Sequence, residues 1–409
     1  MAEKITIDSF RMLFYGDEEF AVIDPREKSD FVKGHLLAAS NLPLGSLEQR
    51  IESAVPRAET LCVLCDAGGG EAENASTLLE TAGYSNVAIL NGGLDAWKSS
   101  GGTVFSGSSV PGKAFGEFVE HYCNTPAMTA SELHHRMQRG EPVLLLDSRT
   151  AEEHGSYCIP GAILCPGAEL IYRVLPIINA DTEIVVHCGG RTRSIIGAQT
   201  LIDAGCQNVH ALENGTMAWQ FEQLELETGN RECLPEPDSK SLILVRAIAD
   251  RLAERWHIDR LDSITAGEAR NRYLVDVRSR EEYEAGHVRG SVHVPGGHLL
   301  QNLDRYLVVH NSVVVLIDSD WVRSVTTAVW LRRMGWRRVY SFTIEPASEQ
   351  LETGAGAGIE ALEDRDLDPN DYTDQDELMR ANRAYLDWEI ALIDQLPGEP
   401  AAPYMNVIR

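Results

Sequence analysis

The sequence lacks any apolar run approaching the roughly 18 residues that a membrane-spanning helix needs. It is also short of positive charge: 36 Lys and Arg face 62 Asp and Glu, for a net charge of −26. A field of that sign repels phosphate, which argues against nucleic acid and anionic membranes as partners. No basic segment leads into an apolar stretch after Met1, so no secretory leader is expected and the location is read as cytoplasmic. Eight cysteines are too few, at this length, for a disulfide framework, and reduced thiols are expected. What is present is globular composition, 44% hydrophobic and 24% charged. At roughly 100–200 residues per domain, 409 residues imply two to four domains.

Self-similarity fixes the number at three. Apolar runs ending in Asp-x-Arg occur at Phe20–Arg26 (Asp24), Val143–Arg149 (Asp147) and Tyr273–Arg278 (Asp276). Each is followed, 19 residues after its Asp, by Pro43, Pro166 or Pro295. Second apolar runs follow at Leu61–Cys65, Ile184–Cys188 and Val313–Asp318, then helical patterns stopped at Gly83, Gly205 and Gly335. Third short strands are expected at Val87–Leu90, Val209–Leu212 and Val339–Phe342. Gly93/Trp97 and Gly215/Trp219 match in the first two repeats, and the third loses this ending. Short, continuously apolar strands alternating with helices predict an α/β fold, each repeat a mostly parallel sheet flanked by helices. Capping-box patterns mark helix starts at Thr129–Glu132 and Thr265–Glu268.

The expected organisation is a first repeat over residues 1–104, a linker with a helix over 105–125, a central repeat over 126–232, a linker helix over 233–257, a third repeat over 258–352, and an acidic linker with a C-terminal helix over 353–409. The first linker helix carries Phe115, Phe118, Val119 and Tyr122; the second carries Leu242, Val245, Ala249, Leu252 and Trp256. Residues 360–377 hold nine acids and one base, which reads as a solvated stretch. The final helix has a stripe of Leu378, Ala381, Tyr385, Trp388, Leu392 and Leu396, too short for a coiled coil and expected to dock on its neighbour.

The chemistry concentrates at Val186-His187-Cys188-Gly189-Gly190-Arg191-Thr192-Arg193-Ser194. A cysteine at the end of a buried strand, followed by a tight loop and a helix, meets curled backbone N–H groups and the positive end of the helix. Gly189 and Gly190 allow such a curl, and Arg191 and Arg193 add positive charge. This environment favours a thiolate nucleophile and an incoming anion. Arg191, near the loop tip, is expected to face solvent and meet the donor on arrival. Arg193 is expected to turn back toward the ring of N–H groups.

These segments, with Ile159-Pro-Gly-Ala162 and Glu213-Asn-Gly-Thr-Met-Ala-Trp219, resemble the rhodanese family of sulfurtransferases, over most of the chain. The resemblance implies three tandem rhodanese-like domains and a Cys188 persulfide that carries sulfane sulfur from thiosulfate or a similar donor to cyanide or a thiol. It implies substrate binding by Gly189, Gly190, Arg191, Thr192, Arg193 and Ser194, with no cofactor. Related phosphatases and arsenate reductases have a loop one residue longer; four residues separate Cys188 from Arg193 here, which favours sulfur. Arg191 departs from the glycine common at that place. A persulfide carrier or interaction scaffold is the alternative activity, and a homodimer or a protein that accepts sulfur stays open as a partner.

The other repeats read as silent. Cys65 is followed by Asp66-Ala-Gly-Gly-Gly-Glu71, with no arginine, and the third repeat has Asp318 where a cysteine would stand. Asp147 and Arg149 recur in all three repeats, so their expected role is structural support. Cys158 stands where the outer repeats have His35 and His287 and, with Cys165, reads as a small buried residue rather than a resolving thiol. No metal site is expected: Cys62 and Cys65 fall on opposite faces of a strand, and His134 and His135 diverge on a helix. Glu169 and Arg173 follow Pro166 closely enough to approach the pocket.

Overall fold

The computed structural model describes residues 3–264, 269–345, 351–356, 372 and 374–406. The chain folds as three α/β units with helical segments between and after them. The expected Thr265–Glu268 box and most of the acidic stretch 360–377 lie outside the described residues. No helix among the described residues is long and apolar enough to cross a membrane.

Each unit has one five-stranded parallel order, which the apolar runs dictate. In the central unit it is Ala127–Met128, Val209–Leu212, Glu183–His187, Val143–Asp147, Ile163–Leu164. The strand carrying the cysteine position is thus the middle strand of the sheet, with partners on both sides. The three helix-stopping glycines adopt left-handed backbone, Gly83 at φ +93°, Gly205 at +109° and Gly335 at +101°, where a side chain would be strained. Each unit repeats one buried ion pair: Arg26, Arg149 and Arg278 clasp Asp24, Asp147 and Asp276 through two guanidinium nitrogens. The same arginines donate to the carbonyls of Gly34, Tyr157 and Gly286, eight residues on. The pair therefore ties the end of one strand to the loop that returns toward the next.

The stretches read as linkers are central packing elements. Helix Val110–Cys123 buries Phe115, Phe118 and Val119 completely, although Tyr122, expected on the same stripe, is exposed. A hydrophobic core runs through this helix from Leu64 of the first unit to Ile196 of the second and Leu331 of the third. The C-terminal helix Gln375–Ile390 docks as expected through Leu378, with Leu392 and Leu396 buried just beyond it, but Leu386, Asn382 and Glu389 are buried where Ala381, Tyr385 and Trp388 were expected.

The outer units are joined edge to edge. Val309–His310 of the third unit pairs antiparallel with Phe20–Ala21 of the first, adding a sixth strand to that sheet. Beside this seam Asn271 is fully buried and satisfied across it: its amide donates to Glu19 and Thr60, and its carbonyl accepts from the Arg57 N–H. The seam was not legible in the sequence because strand pairing between distant edges leaves no local pattern. Replacing Asn271 by Ala strips buried groups of their partners, which costs about 1–3 kcal/mol for each group left unsatisfied. Urea denaturation should show Asn271→Ala destabilised by about 2–4 kcal/mol; a loss under about 0.5 kcal/mol would mean that the seam does not hold the outer units together.

Candidate functional site

Strand Glu183–His187 delivers Cys188 to the sheet's C-terminal edge, and helix Thr192–Ala204 begins four residues later. The loop carbonyls are tied back: Cys188 O accepts from Thr216 N–H at 3.0 Å and Gly189 O from Met217 N–H at 3.2 Å. This contact needs Gly215, since a Cβ there would lie 2.3 Å from Cys188 O and the backbone is left-handed at φ +51°. With the carbonyls held behind, the N–H groups of Gly189 through Ser194 are left at the helix entrance. Among the described residues no side chain accepts from them. Cys188 is nearly covered, at 2% exposed, and its thiol donates to Ser194 Oγ at 3.5 Å.

The outer units fill the same N–H cup with their own carboxylates. In the first, Asp66 accepts from the N–H groups of Gly68, Gly70 and Ala72. Burial, with Asp24 and Asp66 nearby, pushes the Cys65 thiol upward and so disfavours its thiolate. In the third, Asp318 accepts from Trp321 and Ser324, and Asp320 from Val322 and Arg323.

The two loop arginines differ from expectation in what they face. Arg191 is 6% exposed and does not reach solvent: Glu117 and Glu120 of helix Val110–Cys123 grip it, and Asn214 adds a third partner. Its displacement from the loop tip follows from that helix packing against the loop, which local spacing could not reveal. Arg193 is held by both carboxylate oxygens of Glu153, at 2.6 and 2.7 Å. The Arg193 guanidinium, after the opposing effect of burial, holds Glu153 down at about 2. Against the opposing effect of burial, Glu153 in turn holds Arg193 above its ordinary value. Thr192 donates to Glu389 of the C-terminal helix at 2.6 Å.

Glu153 also closes a capping box with Thr150, and the third unit repeats the arrangement with Ser279, Glu282 and Arg323. The Thr150-x-x-Glu153 spacing was the signal that could have found it; Glu117, Glu120 and Glu389 had none. Asp147 sits behind the site, gripping Arg149 and His154. Cys158 and Cys165 are buried in the core, and burial pushes the Cys158 thiol to about 11. Cys62 and Cys65 belong to core clusters on opposite sides of their sheet. His134 packs against Trp219 on the outer helix. Glu169 and Arg173 pair with each other and do reach the cleft beside Cys188.

These features define a class. Residues 8–100, 129–222 and 258–343 each match the rhodanese-like domain, and the chain belongs to that family. The crystal structure of a thiosulfate sulfurtransferase from Pseudomonas aeruginosa is similar over 87% of this chain and 69% of its own, with 39% identity and a TM-score of 0.83. Thiosulfate sulfurtransferase GlpE of Pseudomonas entomophila (strain L48) is 29% identical over 28% of this chain and 99% of that protein. HTH-type transcriptional regulator Rv0324 of Mycobacterium tuberculosis is 37% identical over 25% of this chain; the match spans 45% of that relative, less than half its length.

A depressed carboxyl stabilises the fold above its unfolded value and loses that contribution as pH falls through its folded value. For Glu153 the window runs from about 5 down to about 2. Thermal melts across that range should show a shallower acid decline for Glu153→Gln than for the parent, without abolishing it, because Glu282 is held down to about 2 in the same way. Superimposable acid limbs would show that the Glu153–Arg193 pair is not coupled to folding.

Proposed function

We propose that the chain is a sulfurtransferase that moves sulfane sulfur through a persulfide on Cys188, with thiosulfate as donor and cyanide or a thiol as acceptor. The observation that carries this reading is the open N–H cup at Cys188, beside two units whose cups are occupied by aspartate. The Cys188 thiolate attacks the outer sulfur of thiosulfate; that S–S bond breaks and sulfite leaves with the electron pair. The acceptor then attacks the outer sulfur of the persulfide, and Cys188 departs as thiolate, so no oxidant or reductant is consumed.

In this mechanism the N–H groups of Gly189, Gly190 and Thr192 bind the anionic oxygens, and Ser194 Oγ hydrogen-bonds the reacting sulfur. Arg193 supplies positive charge at the helix entrance, fixed in place by Glu153. Arg191 acts through the loop: anchored to Glu117 and Glu120, it sets the loop's position rather than receiving the donor. The similarity to thiosulfate sulfurtransferases supports the choice of donor.

Intact-mass spectrometry after thiosulfate treatment should show one added sulfur per chain, absent in Cys188→Ser and retained in Cys65→Ser and Asp318→Ala. Loading that persists in Cys188→Ser would move the chemistry elsewhere. A charge-assisted contact to an anion contributes about 1.5–3 kcal/mol, roughly ten- to a hundredfold in rate. Arg193→Ala should lose about that much kcat/KM with thiosulfate and less with an uncharged polysulfide, Arg193→Lys recovering part of it. Equal losses with both donors would mean that Arg193 does not serve the anion.

A further inference from the structure

Cys188 opens on a cleft of about 1150 Å³ between the central and third units. Pockets of roughly 300–1,000 Å³ already enclose drug-sized molecules. A five-atom donor bound in the loop leaves most of this cleft unused. The third unit cannot use its own cup, which Asp318 and Asp320 occupy, yet its Val277–Glu282 segment, His293 and His298 form the wall facing Cys188. That wall reaches the catalytic loop: His298 is held down at about 4 by burial and then by the charge of Arg193.

The charges of the cleft are mostly spent on each other. Arg193 is held by Glu153, Arg173 by Glu169, and Arg278 by Asp276. Two cations are less firmly committed. Arg231 is exposed on the cleft and has no hydrogen bond or ion pair among the described residues. Its segment is anchored, since Leu164 N–H donates to Glu232 O and Arg173 donates to Leu234 O. Arg280, from the third unit, is 58% exposed and only loosely approaches Glu152 of the central unit, at 3.7 Å. The cleft thus offers an unpaired guanidinium group on the central side and, on the third unit's side, an exposed one that is only loosely paired.

Resting on the sulfurtransferase reading, we propose that the third unit is the acceptor-binding wall of the central unit's site, and that the cleft selects a thiol of peptide size whose carboxylates meet Arg231 and Arg280. The acceptor's thiolate attacks the outer sulfur of the Cys188 persulfide; the S–S bond to Cys188 breaks, Cys188 leaves as thiolate, and the acceptor departs as a persulfide. The thiol proton is lost to solvent before attack, and no other reactant is needed.

The test uses the full chain, loaded with thiosulfate, and three probes at matched thiolate concentration: glutathione, which carries two carboxylates and an ammonium, cysteamine, which carries an ammonium alone, and uncharged 2-mercaptoethanol. The parent should favour glutathione over both others by about tenfold or more in kcat/KM. Exposed ion contacts contribute up to about 1 kcal/mol each, so Arg231→Ala and Arg280→Ala should each lower the glutathione to 2-mercaptoethanol ratio roughly three- to fivefold, and the double variant about tenfold. A parent without preference, or a double variant whose ratio falls by less than about threefold, overturns the acceptor site. Cys188 loading, weighed before any acceptor is added, separates the two readings. Loading without preference removes only this inference, whereas no loading removes the sulfurtransferase reading and this inference with it.

Discussion

A strand that ends beneath a helix entrance leaves several backbone N–H groups without intrahelical partners, and each buried one needs an acceptor. The three units answer this one constraint differently. Asp66 satisfies the first cup and Asp318 with Asp320 the third. In the central unit Gly189 stands where the first has Asp66, and Cys188 stands where the third has Asp318, so no carboxylate fills the cup. The open cup is therefore the exception within one chain. The surrounding features keep it open: Gly215 lets the loop carbonyls be held behind, Glu117 and Glu120 draw Arg191 away, and Glu153 fixes Arg193.

The fold was legible because its signals are local and occur three times. Apolar runs ending in Asp-x-Arg, the prolines 19 residues on and the helix-stopping glycines each have a short-range physical cause, and the strands fell where those runs lie. The position of Cys188 was legible for the same reason: strand, cysteine, glycine pair and helix are contiguous. What surrounds the loop was not. Arg191 reads as a cation at a loop tip until a helix from residues 110–123 arrives with two glutamates. Glu389 comes from the far end of the chain, 197 positions from the Thr192 it accepts from. Contacts of that separation leave no periodicity to read. Glu153 is an intermediate case, since its capping spacing marks a helix start but says nothing of the arginine it also holds.

A net charge of −26 makes an anion-binding site an uphill undertaking. Placing the cup in a nearly covered site makes fixed backbone dipoles count for more than distant surface carboxylates, which solvent and salt screen. Of the acids beside the loop, Glu153 is paired with Arg193 and Glu117 with Arg191, while Glu389 accepts from Thr192. Burial also raises Glu117 to about 7 despite its arginine.

The strand Val309–His310, lent by the third unit to the first unit's sheet, turns a linear series into a closed arrangement. Domains strung along a chain can be lost or cut away singly, leaving the remainder intact. Here a chain ending before the third unit would bare the backbone edge of Phe20–Ala21 and leave Glu19 without Asn271. An uncovered edge of that kind recruits strands from other molecules. The third unit, with no thiol to offer, therefore also serves as the cover on the first unit's open edge.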